Sequence, residues 1–364
     1  IMRANYALEH GTEALSMCVR KAVNEMLGSL AEDAGIRRED VFQVCVVGNT
    51  CMHHLFLGIS PASLVHAPYT PAVSERLVLN AGDYGLAVQE RAELIMLSDI
   101  AGYVGADTCG CLLAIRQDQQ EEISLMIDIG TNGEMVLGNR ERMVTCSTAA
   151  GPAFEGAKIE CGMRGAAGAV DHVKYEDGKW NYTTVGNKPA VGLCGSGLID
   201  LVAGLLDAGM LDENGVLRSG QEKQGVFILV LPERGGNERG VYLTQKDLGE
   251  VQLAKAAIAA GIQMLMERLG ITEDDICSVY IAGAFGNYMD PVSAGKIGLL
   301  PATLVKKVKP VGNAAGEGAK IALVNEKEML EMDELVRKIE FVELAASADF
   351  QDHFIDELGF ETGE

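Results

Sequence analysis

One stretch near the middle of the chain, residues 125–137, constrains the fold more than any other. It reads Leu125-Met-Ile-Asp128-Ile-Gly-Thr-Asn-Gly-Glu134-Met-Val-Leu137. Short apolar runs bounded by turn residues are typical of buried strands, and glycine allows the dihedral angles of a tight turn, so the stretch predicts a hairpin. Such a hairpin presents N–H groups and a hydroxyl to a phosphate, with Asp128 placed to hold a hydrated metal ion. The alternative is an ordinary hairpin with a polar turn, because short motifs also occur by chance.

The composition limits the class of partner. The chain has 364 residues, enough for two domains or one large bilobal unit, and 48% of them are hydrophobic. Its formal net charge of −22 argues against nucleic acids and anionic membranes as partners, because both are bound by clustered Lys and Arg. No apolar run reaches the roughly 18 residues of a membrane-spanning helix, and no signal peptide is visible, so we expect a cytoplasmic protein.

The cysteines and histidines do not have the spacing of a metal site. The nine cysteines contain no Cys-x-x-Cys pair, which argues against a zinc site and against a local iron–sulfur motif. Cys109 and Cys111 are the only close pair, and we interpret them as small buried residues of a helix. His53 and His54 are neighbours on a predicted helix and face different directions. We interpret them as structural or partner-facing residues.

Four other glycine-containing turns stand out, and all except the one at residues 283–286 come directly before a predicted helix. They are Gly48-Asn-Thr50, Cys194-Gly-Ser-Gly197, Gly283-Ala-Phe-Gly286 and Gly312-Asn313. Two of these turns, at residues 48 and 283, follow apolar strands, and in open α/β sheets ligands gather at the carboxyl ends of strands, near helix N-termini. Glycines around Ser196 form either a nest of N–H groups for an anion or a loop with a serine N-cap. The missing side chains at Gly283 and Gly286 would let a flat ring lie against the backbone.

The remaining elements outline two lobes. Apolar residues with a 3.6-residue period predict an amphipathic helix over 11–31, and Thr244-Gln-Lys-Asp247 predicts a capping box before a long helix that ends near Leu269. We expect an aperiodic connection over 61–82 and a strand over 339–344. The polar run Arg116–Glu122 is the best boundary, which gives a first lobe over 1–119 and a second lobe over 120–364.

The loop Ser147–Gly156 also draws attention. It consists mainly of small residues, is stiffened by Pro152 and carries one carboxylate, that of Glu155. Loops of this composition are common where a ligand comes close to the backbone.

The order of these motifs resembles the actin-like ATPase superfamily of sugar kinases, chaperone ATPases and actin. The resemblance implies an α/β fold in which two RNase H-like lobes close over ATP and Mg²⁺. The family's first phosphate loop, an Asp-Gly-Thr hairpin, would precede residue 1. We therefore expect the chain to begin inside a first lobe that is truncated at its N-terminus.

Within that superfamily, the motifs look most like the ATPase part of the reductive activators of corrinoid proteins. The matching stretches are residues 47–52, 128–134, 147–156, 194–197 and 283–286. The resemblance implies an enzyme that uses ATP to drive an electron onto the Co(II) corrinoid of a methyltransferase system, which restores Co(I). In that family the electron comes from a 2Fe–2S cluster in an N-terminal domain, whose cysteine pattern this chain lacks. The implied partner is a corrinoid protein, and a homodimer is a further option.

The resemblance also implies roles for individual residues. Asp128, Gly130, Thr131 and Asn132 would form the second phosphate loop, with Asp128 as the metal ligand. Asp128, Glu134 and Asp107 are the catalytic candidates, because a carboxylate can position Mg²⁺ or orient the attacking water. Gly195, Ser196, Gly197, Gly283, Ala284, Phe285 and Gly286 would line phosphate and adenosine. Phe154 and Glu155 would face the partner, unless their loop is a stabilising turn near the hinge.

Three other functions remain open within the superfamily. A small-molecule kinase needs a catalytic Asp with a sugar pocket, and an activator of radical dehydratases needs a cluster-binding cysteine pair. The sequence shows neither. A non-catalytic actin-like module would bind a partner but no nucleotide, so Mg-ATP would leave its thermal stability unchanged.

Overall fold

The computed structural model describes residues 2–218, 225–236, 238–345 and 347–360. These residues form two compact units that are interleaved along the sequence. The first unit contains the residues up to Glu121, together with Asn139–Thr145 and Asn313–Phe341. The second contains Glu122–Gly138, Cys146–Gly312 and the residues from Val342 onward. Among the described residues, no helix combines the length and the apolar character needed to cross a membrane.

The helices and strands of the described residues are numbered here in chain order. The helices are α1 (Met2–His10), α2 (Glu13–Ala34), α3 (Thr50–Leu57), α4 (Ala62–Val65), α5 (Ala106–Ile115), α6 (Gly195–Asp207), α7 (Gln245–Leu269), α8 (Gly283–Gly286), α9 (Pro291–Lys296), α10 (Ala314–Val324), α11 (Glu326–Val336) and α12 (Ala348–Asp356). The strands are β1 (Gln43–Val46), β2 (Leu77–Asn80), β3 (Glu93–Met96), β4 (Ile123–Ile129), β5 (Gly133–Gly138), β6 (Met143–Thr148), β7 (Ala169–Glu176), β8 (Lys179–Thr184), β9 (Gly192–Leu193), β10 (Val226–Val230), β11 (Val241–Thr244), β12 (Ile276–Ala282), β13 (Val308–Gly312) and β14 (Glu340–Phe341).

The first unit is built around a small mixed sheet with the order β1-β3-β2. β3 pairs in parallel with β1 and antiparallel with β2. Phe56 of α3 and Val23 of α2 join Leu94 and Met96 of β3 in a hydrophobic cluster. This burial of apolar surface attaches the two helices to the sheet. In the same unit, β14 pairs in parallel with Val144 and Thr145, in the first half of β6.

Two helices of the first unit, α5 and α10, touch through their backbones. A Cβ atom on Gly110 of α5 would lie 2.6 Å from the carbonyl oxygen of Ala315 in α10. A Cβ on Gly318 would overlap the carbonyl group of Gly110. Cys109 and Cys111, on either side of Gly110, are fully buried, which confirms their interpretation as packed helical residues.

A buried polar network surrounds α3. The Nδ1 atom of His53 lies 2.7 Å from a carboxylate oxygen of Asp99, and both side chains are almost fully buried. His54 contacts the carbonyl oxygen of Thr50 through Nδ1 at 2.8 Å and accepts the N–H of Ala72 at Nε2 at 2.9 Å. This pattern requires a neutral imidazole that donates from Nδ1. Both histidines are therefore structural, and their burial excludes the partner-facing alternative.

The second unit contains the sequence's central hairpin. β4 and β5 pair antiparallel, with Asp128 opposite Glu134, and β12 lies parallel to β4 with Ala282 opposite Asp128. β13 extends this sheet beyond β12. The long helix α7 packs near β5, where a Cβ on Gly261 would come close to Met135. A smaller sheet of β8, β7 and β9 and a hairpin of β10 and β11 complete the unit.

The boundaries confirm the main local predictions and correct three others. The capping box of Thr244 and Asp247 is present, and α7 ends at Leu269. The helix predicted over 11–31 is α2, displaced by a few residues. The region 61–82, expected to be a connection, contains α4 and β2. The strand predicted over 339–344 is limited to the two residues of β14, because only these pair with β6.

Replacing Gly110 with Ala is expected to destabilise the protein by about 1–3 kcal/mol, because the new methyl group would overlap the backbone of α10. The control is Gly249→Ala in α7, where a Cβ has no atom within 4 Å. The control is expected to gain roughly 0.5–1 kcal/mol from the better helix propensity of alanine. Denaturant unfolding measures both. A gain of stability in Gly110→Ala would contradict the close contact of α5 and α10.

Protonation of His54 is expected to destabilise the protein. Burial lowers its pKa below the usual 6.5, with smaller opposing effects from Thr50 and Asp99. Because the native pKa is the lower one, the stabilisation is complete above the unfolded pKa and is lost as the pH falls through the native pKa. Thermal unfolding between about pH 7.5 and 5.5 should therefore show a larger loss of Tm for the wild type than for His54→Gln, which cannot titrate. Equal losses in the two proteins would reject this role.

Candidate functional site

The tip of the β4–β5 hairpin is a compact turn. Gly130 donates its N–H to the carbonyl oxygen of Asn132 at 2.9 Å, directly after the last cross-strand pair, Ile129 and Gly133. A Cβ on Gly133 would lie 2.9 Å from the hydroxyl of Thr148 and 3.2 Å from Ile258 of α7. The glycine at this position is therefore explained by packing.

Asp128 lies near the end of β4, beside the end of β12. Gly283, the residue after β12, has φ +85°, and a Cβ on it would lie 2.9 Å from Oδ1 of Asp128. Two independent constraints therefore favour glycine here: the left-handed backbone and the nearby carboxylate. Within the described part of the chain, the Asp128 carboxylate has no hydrogen-bond or ion-pair partner, and burial raises its pKa.

Glu134 lies directly opposite Asp128 on β5. Opposite residues of an antiparallel pair project to the same face of the sheet, with Cβ atoms about 4.5–5.5 Å apart. Glu134 is only 9% exposed. Burial, followed by the charge of Glu134, raises the pKa of the Cys146 thiol. Two acidic side chains thus share one face of the hairpin.

The hairpin tip is attached to the stretch Ser147–Gly156, which was expected to be a loop and whose first two residues are the end of β6. The hydroxyl of Thr131 donates to Oε1 of Glu155 at 2.7 Å, and the N–H of Gly151 donates to the carbonyl oxygen of Thr131 at 2.9 Å. Both hydrogen bonds join residues that are far apart in sequence, so sequence periodicity gives no sign of them. In the sequence, the only feature that pointed to this contact was the single carboxylate among the small residues of the stretch.

The start of α6 corrects one sequence interpretation. The N-cap is Cys194, without a side-chain hydrogen bond, so the alternative of a serine N-cap is wrong. Ser196 lies inside the first turn, and its hydroxyl donates to the carbonyl oxygen of Asp171 at 2.8 Å. Gly195 and Gly197 are needed for packing, because Cβ atoms there would overlap the carbonyl oxygens of Phe154 and Val170, respectively.

Two aromatic rings connect this helix start to the end of β12. Phe154 and Phe285 stack with their ring centroids 5.6 Å apart and an angle of 17° between the ring planes. A Cβ on Gly195 would lie 2.8 Å from the Phe285 ring. Phe154 is 3% exposed, so the expectation that its side chain faces a partner is corrected: it packs inside the second unit.

Gly286 also differs from the expectation. A Cβ at this position would lie 2.5 Å from Cγ2 of Ile281 and 2.9 Å from its carbonyl oxygen. Ile281 therefore fills the space that was expected to accept a flat ring. Ala284 lies between the two glycines, in the single turn of α8.

The structure thus brings most of the expected site residues together in the second unit. A chain of close contacts leads from Asp128 to Gly283, and another from Thr131 through the loop Ser147–Gly156 to Phe285 and Gly195. Asp107 belongs to the first unit, where it is in the first turn of α5 and its carboxylate accepts the N–H of Thr108.

Magnesium is the metal ion that this set of residues would suit. No group of three or more His, Cys, Asp or Glu side chains that could hold a metal ion occurs among the described residues. Mg²⁺ in nucleotide sites does not need one, because one or two carboxylates, the phosphates and water complete its coordination. A half-buried, unpartnered carboxylate such as that of Asp128 fits this requirement.

Comparisons with known proteins show the family of this chain. Residues 122–364 match the family described as the C-terminal domain of RACo, the ASKHA domain, and residues 1–120 match the RACo middle region. A solved structure, described as a reductive activator for corrinoid, iron-sulfur protein, has a TM-score of 0.89 and 37% identity, covering 98% of this chain and 59% of that one. These matches confirm the predicted actin-like α/β fold class and the predicted family.

Two curated relatives are similar in sequence. The corrinoid activation enzyme RamQ of Eubacterium limosum is 35% identical over 373 residues, covering 98% of this chain and 62% of that protein. The [Co(II) methylated amine-specific corrinoid protein] reductase of Methanosarcina barkeri is 29% identical over 303 residues, covering 77% of this chain and 54% of that protein. The chain spans between about half and two thirds of the length of these relatives. It therefore belongs to the RACo family, of which it carries the middle region and the C-terminal ASKHA domain.

Proposed function

We propose that this chain is the ATP-binding part of a protein that reductively activates a corrinoid protein, from Co(II) to Co(I), in a methyltransferase system. The names of the relatives support the corrinoid protein as partner. The observation that carries the nucleotide-binding role is the unpartnered carboxylate of Asp128 beside the left-handed Gly283. It lies at the carboxyl ends of two parallel strands, where α/β sheets bind ligands.

Asp128 is the proposed ligand of Mg²⁺, which would neutralise phosphate charge when bound. A cation beside Asp128 would favour the ionised carboxylate, which burial alone disfavours. Glu134 shares the same face of the hairpin, so it is a candidate for orienting a magnesium-bound or attacking water. Asp107, in the first turn of α5, stays a catalytic candidate on the family resemblance alone.

Backbone N–H groups would contact the phosphates. The proposed donors are the N–H groups of Thr131 and Asn132 at the hairpin tip and those of residues 195–197 in the first turn of α6. The N–H of Gly130 already donates to the carbonyl oxygen of Asn132, so the proposed contribution of Gly130 to the phosphate loop is to close its turn. The first N–H groups of a helix have no partner within the helix, which makes them suitable for an anion. The Ser196 hydroxyl already donates to the carbonyl oxygen of Asp171, so we propose that Ser196 contacts phosphate only through its backbone N–H. Residues 283–285 would lie beside the adenosine.

The free energy of ATP binding or hydrolysis would act by changing the conformation of the protein. ATP can change the reduction of the partner's cobalt only if two conformations of the protein bind the partner with different affinities. The electron would come from a 2Fe–2S cluster outside this chain.

We also propose a domain boundary between residues 119 and 120, supported by the family matches that end at 120 and begin at 122.

Replacing Asp128 with Asn is expected to raise the Tm modestly without ligand, because an unpartnered, half-buried charge is removed. The same change should abolish the stabilisation by Mg-ATP. In the wild type, a ligand at 100 times its Kd stabilises the native state by about 2.7 kcal/mol. Thermal shift assays of the full-length protein with and without Mg-ATP measure both effects.

The control is Asp274→Asn, which removes the same charge from an exposed position. It should keep the wild-type Tm and the wild-type response to Mg-ATP. A lower Tm of Asp128→Asn would show that the carboxylate is compensated in the native state. A normal response of that variant to Mg-ATP would remove Asp128 from the proposed site.

The proposed activity is tested with the full-length protein, a reductant, ATP and the cognate corrinoid protein. The absorption spectrum of Co(II) is expected to be replaced by that of Co(I) only when ATP is present. An unchanged Co(II) spectrum would reject the function. Transfer of phosphate to a small molecule would instead favour a kinase, and a thermal stability that ignores Mg-ATP would favour a non-catalytic module.

A further inference from the structure

A second role emerges for the loop Ser147–Gly156, and it rests on the nucleotide-binding function proposed above. This loop contacts the hairpin tip by two hydrogen bonds, one to the hydroxyl of Thr131 and one to its carbonyl oxygen. Its Phe154 also stacks on Phe285, which belongs to the adenosine side of the proposed site. The loop therefore contacts both parts of the site that the nucleotide would bridge.

The contact of Glu155 with Thr131 is the specific part of this arrangement. Thr131 donates its only hydroxyl proton to the carboxylate. Its hydroxyl oxygen can therefore act toward other groups only through its lone pairs. Hydrogen bonds to a charged group are stronger than neutral ones. In the described ranges of the chain, Glu155 makes no ion pair. The Glu155 carboxylate accepts a hydrogen bond from Thr131, although the side chain of Glu155 is exposed.

We propose that Glu155 is a positioning residue of the nucleotide site, which fixes the hydroxyl of Thr131 and with it the tip of the phosphate loop. Phe154 anchors the loop from inside, through its stacking on Phe285, so that Glu155 approaches Thr131 from a fixed backbone. Loss of the hydrogen bond would leave Thr131 free to rotate. Mg-ATP would then have to order this side chain on binding, which lowers affinity.

The test is a double-mutant cycle on the full-length protein, with the Kd of Mg-ATP as the measured quantity. Glu155→Ala and Thr131→Val each remove the hydrogen bond, and each is expected to weaken binding about tenfold. The double variant is expected to bind no more weakly than Thr131→Val. Glu155→Gln keeps an acceptor oxygen for the hydroxyl, so it should recover most of the affinity lost in Glu155→Ala.

Folding is monitored by the Tm of each variant without ligand. The N–H of Gly151 still reaches the carbonyl oxygen of residue 131 in every variant, so the loop keeps its backbone contact. Asp274→Ala serves as the control for the loss of one exposed carboxylate, and it should bind Mg-ATP as the wild type does. A merely structural role of Glu155 would lower the Tm without the non-additivity or the recovery by Gln.

The outcomes separate this inference from the function on which it rests. If the wild type does not bind Mg-ATP, the proposed function itself fails. If the wild type binds but the effects of Glu155→Ala and Thr131→Val add, only the positioning role is overturned. An unchanged Kd in Glu155→Ala, together with slower reduction of the corrinoid protein, would return Glu155 to the partner-facing role expected from the sequence.

Discussion

The parallel pairing of β4 with β12 is the constraint on which the arrangement of the second unit depends. These strands come from parts of the chain about 150 residues apart, and their register places Ala282 opposite Asp128. The carboxylate then meets the backbone of Gly283, which has space for it only because glycine carries no side chain. Without this register, the hairpin tip and the turn after β12 would be unrelated loops.

The glycines of the site are required for two different structural reasons. Gly283 has a left-handed backbone and faces a carboxylate, so its identity is tied to the proposed site. Gly195, Gly197 and Gly286 are required because neighbouring backbone or side-chain atoms leave no room for a Cβ. A glycine-rich turn before a helix therefore indicates a close approach. It does not say whether the approaching group is a ligand or another part of the protein.

Local features were predictable from the sequence, while contacts across the fold were not. The hairpin and the capping box of α7 depend on residues within a few positions of each other, and both were predicted. The packing of Phe154 on Phe285 and the bond of Ser196 to Asp171 join distant segments, so a motif could not reveal them. The prediction of an aperiodic connection over 61–82 failed because α4 and β2 are too short to show a period. The roles of the site residues stay predictions.

The interleaving of the two units has a consequence for biosynthesis. The chain leaves the first unit after Glu121 and completes it only with the segment that ends at Phe341. The helix α10 lies in that late segment, so its backbone contact with α5 can form only after the segment has been synthesised. On the ribosome, the surface of α5 around Gly110 therefore has no partner helix while most of the second unit is translated. Chaperones that shield exposed backbone and apolar surface would have their longest opportunity in that interval.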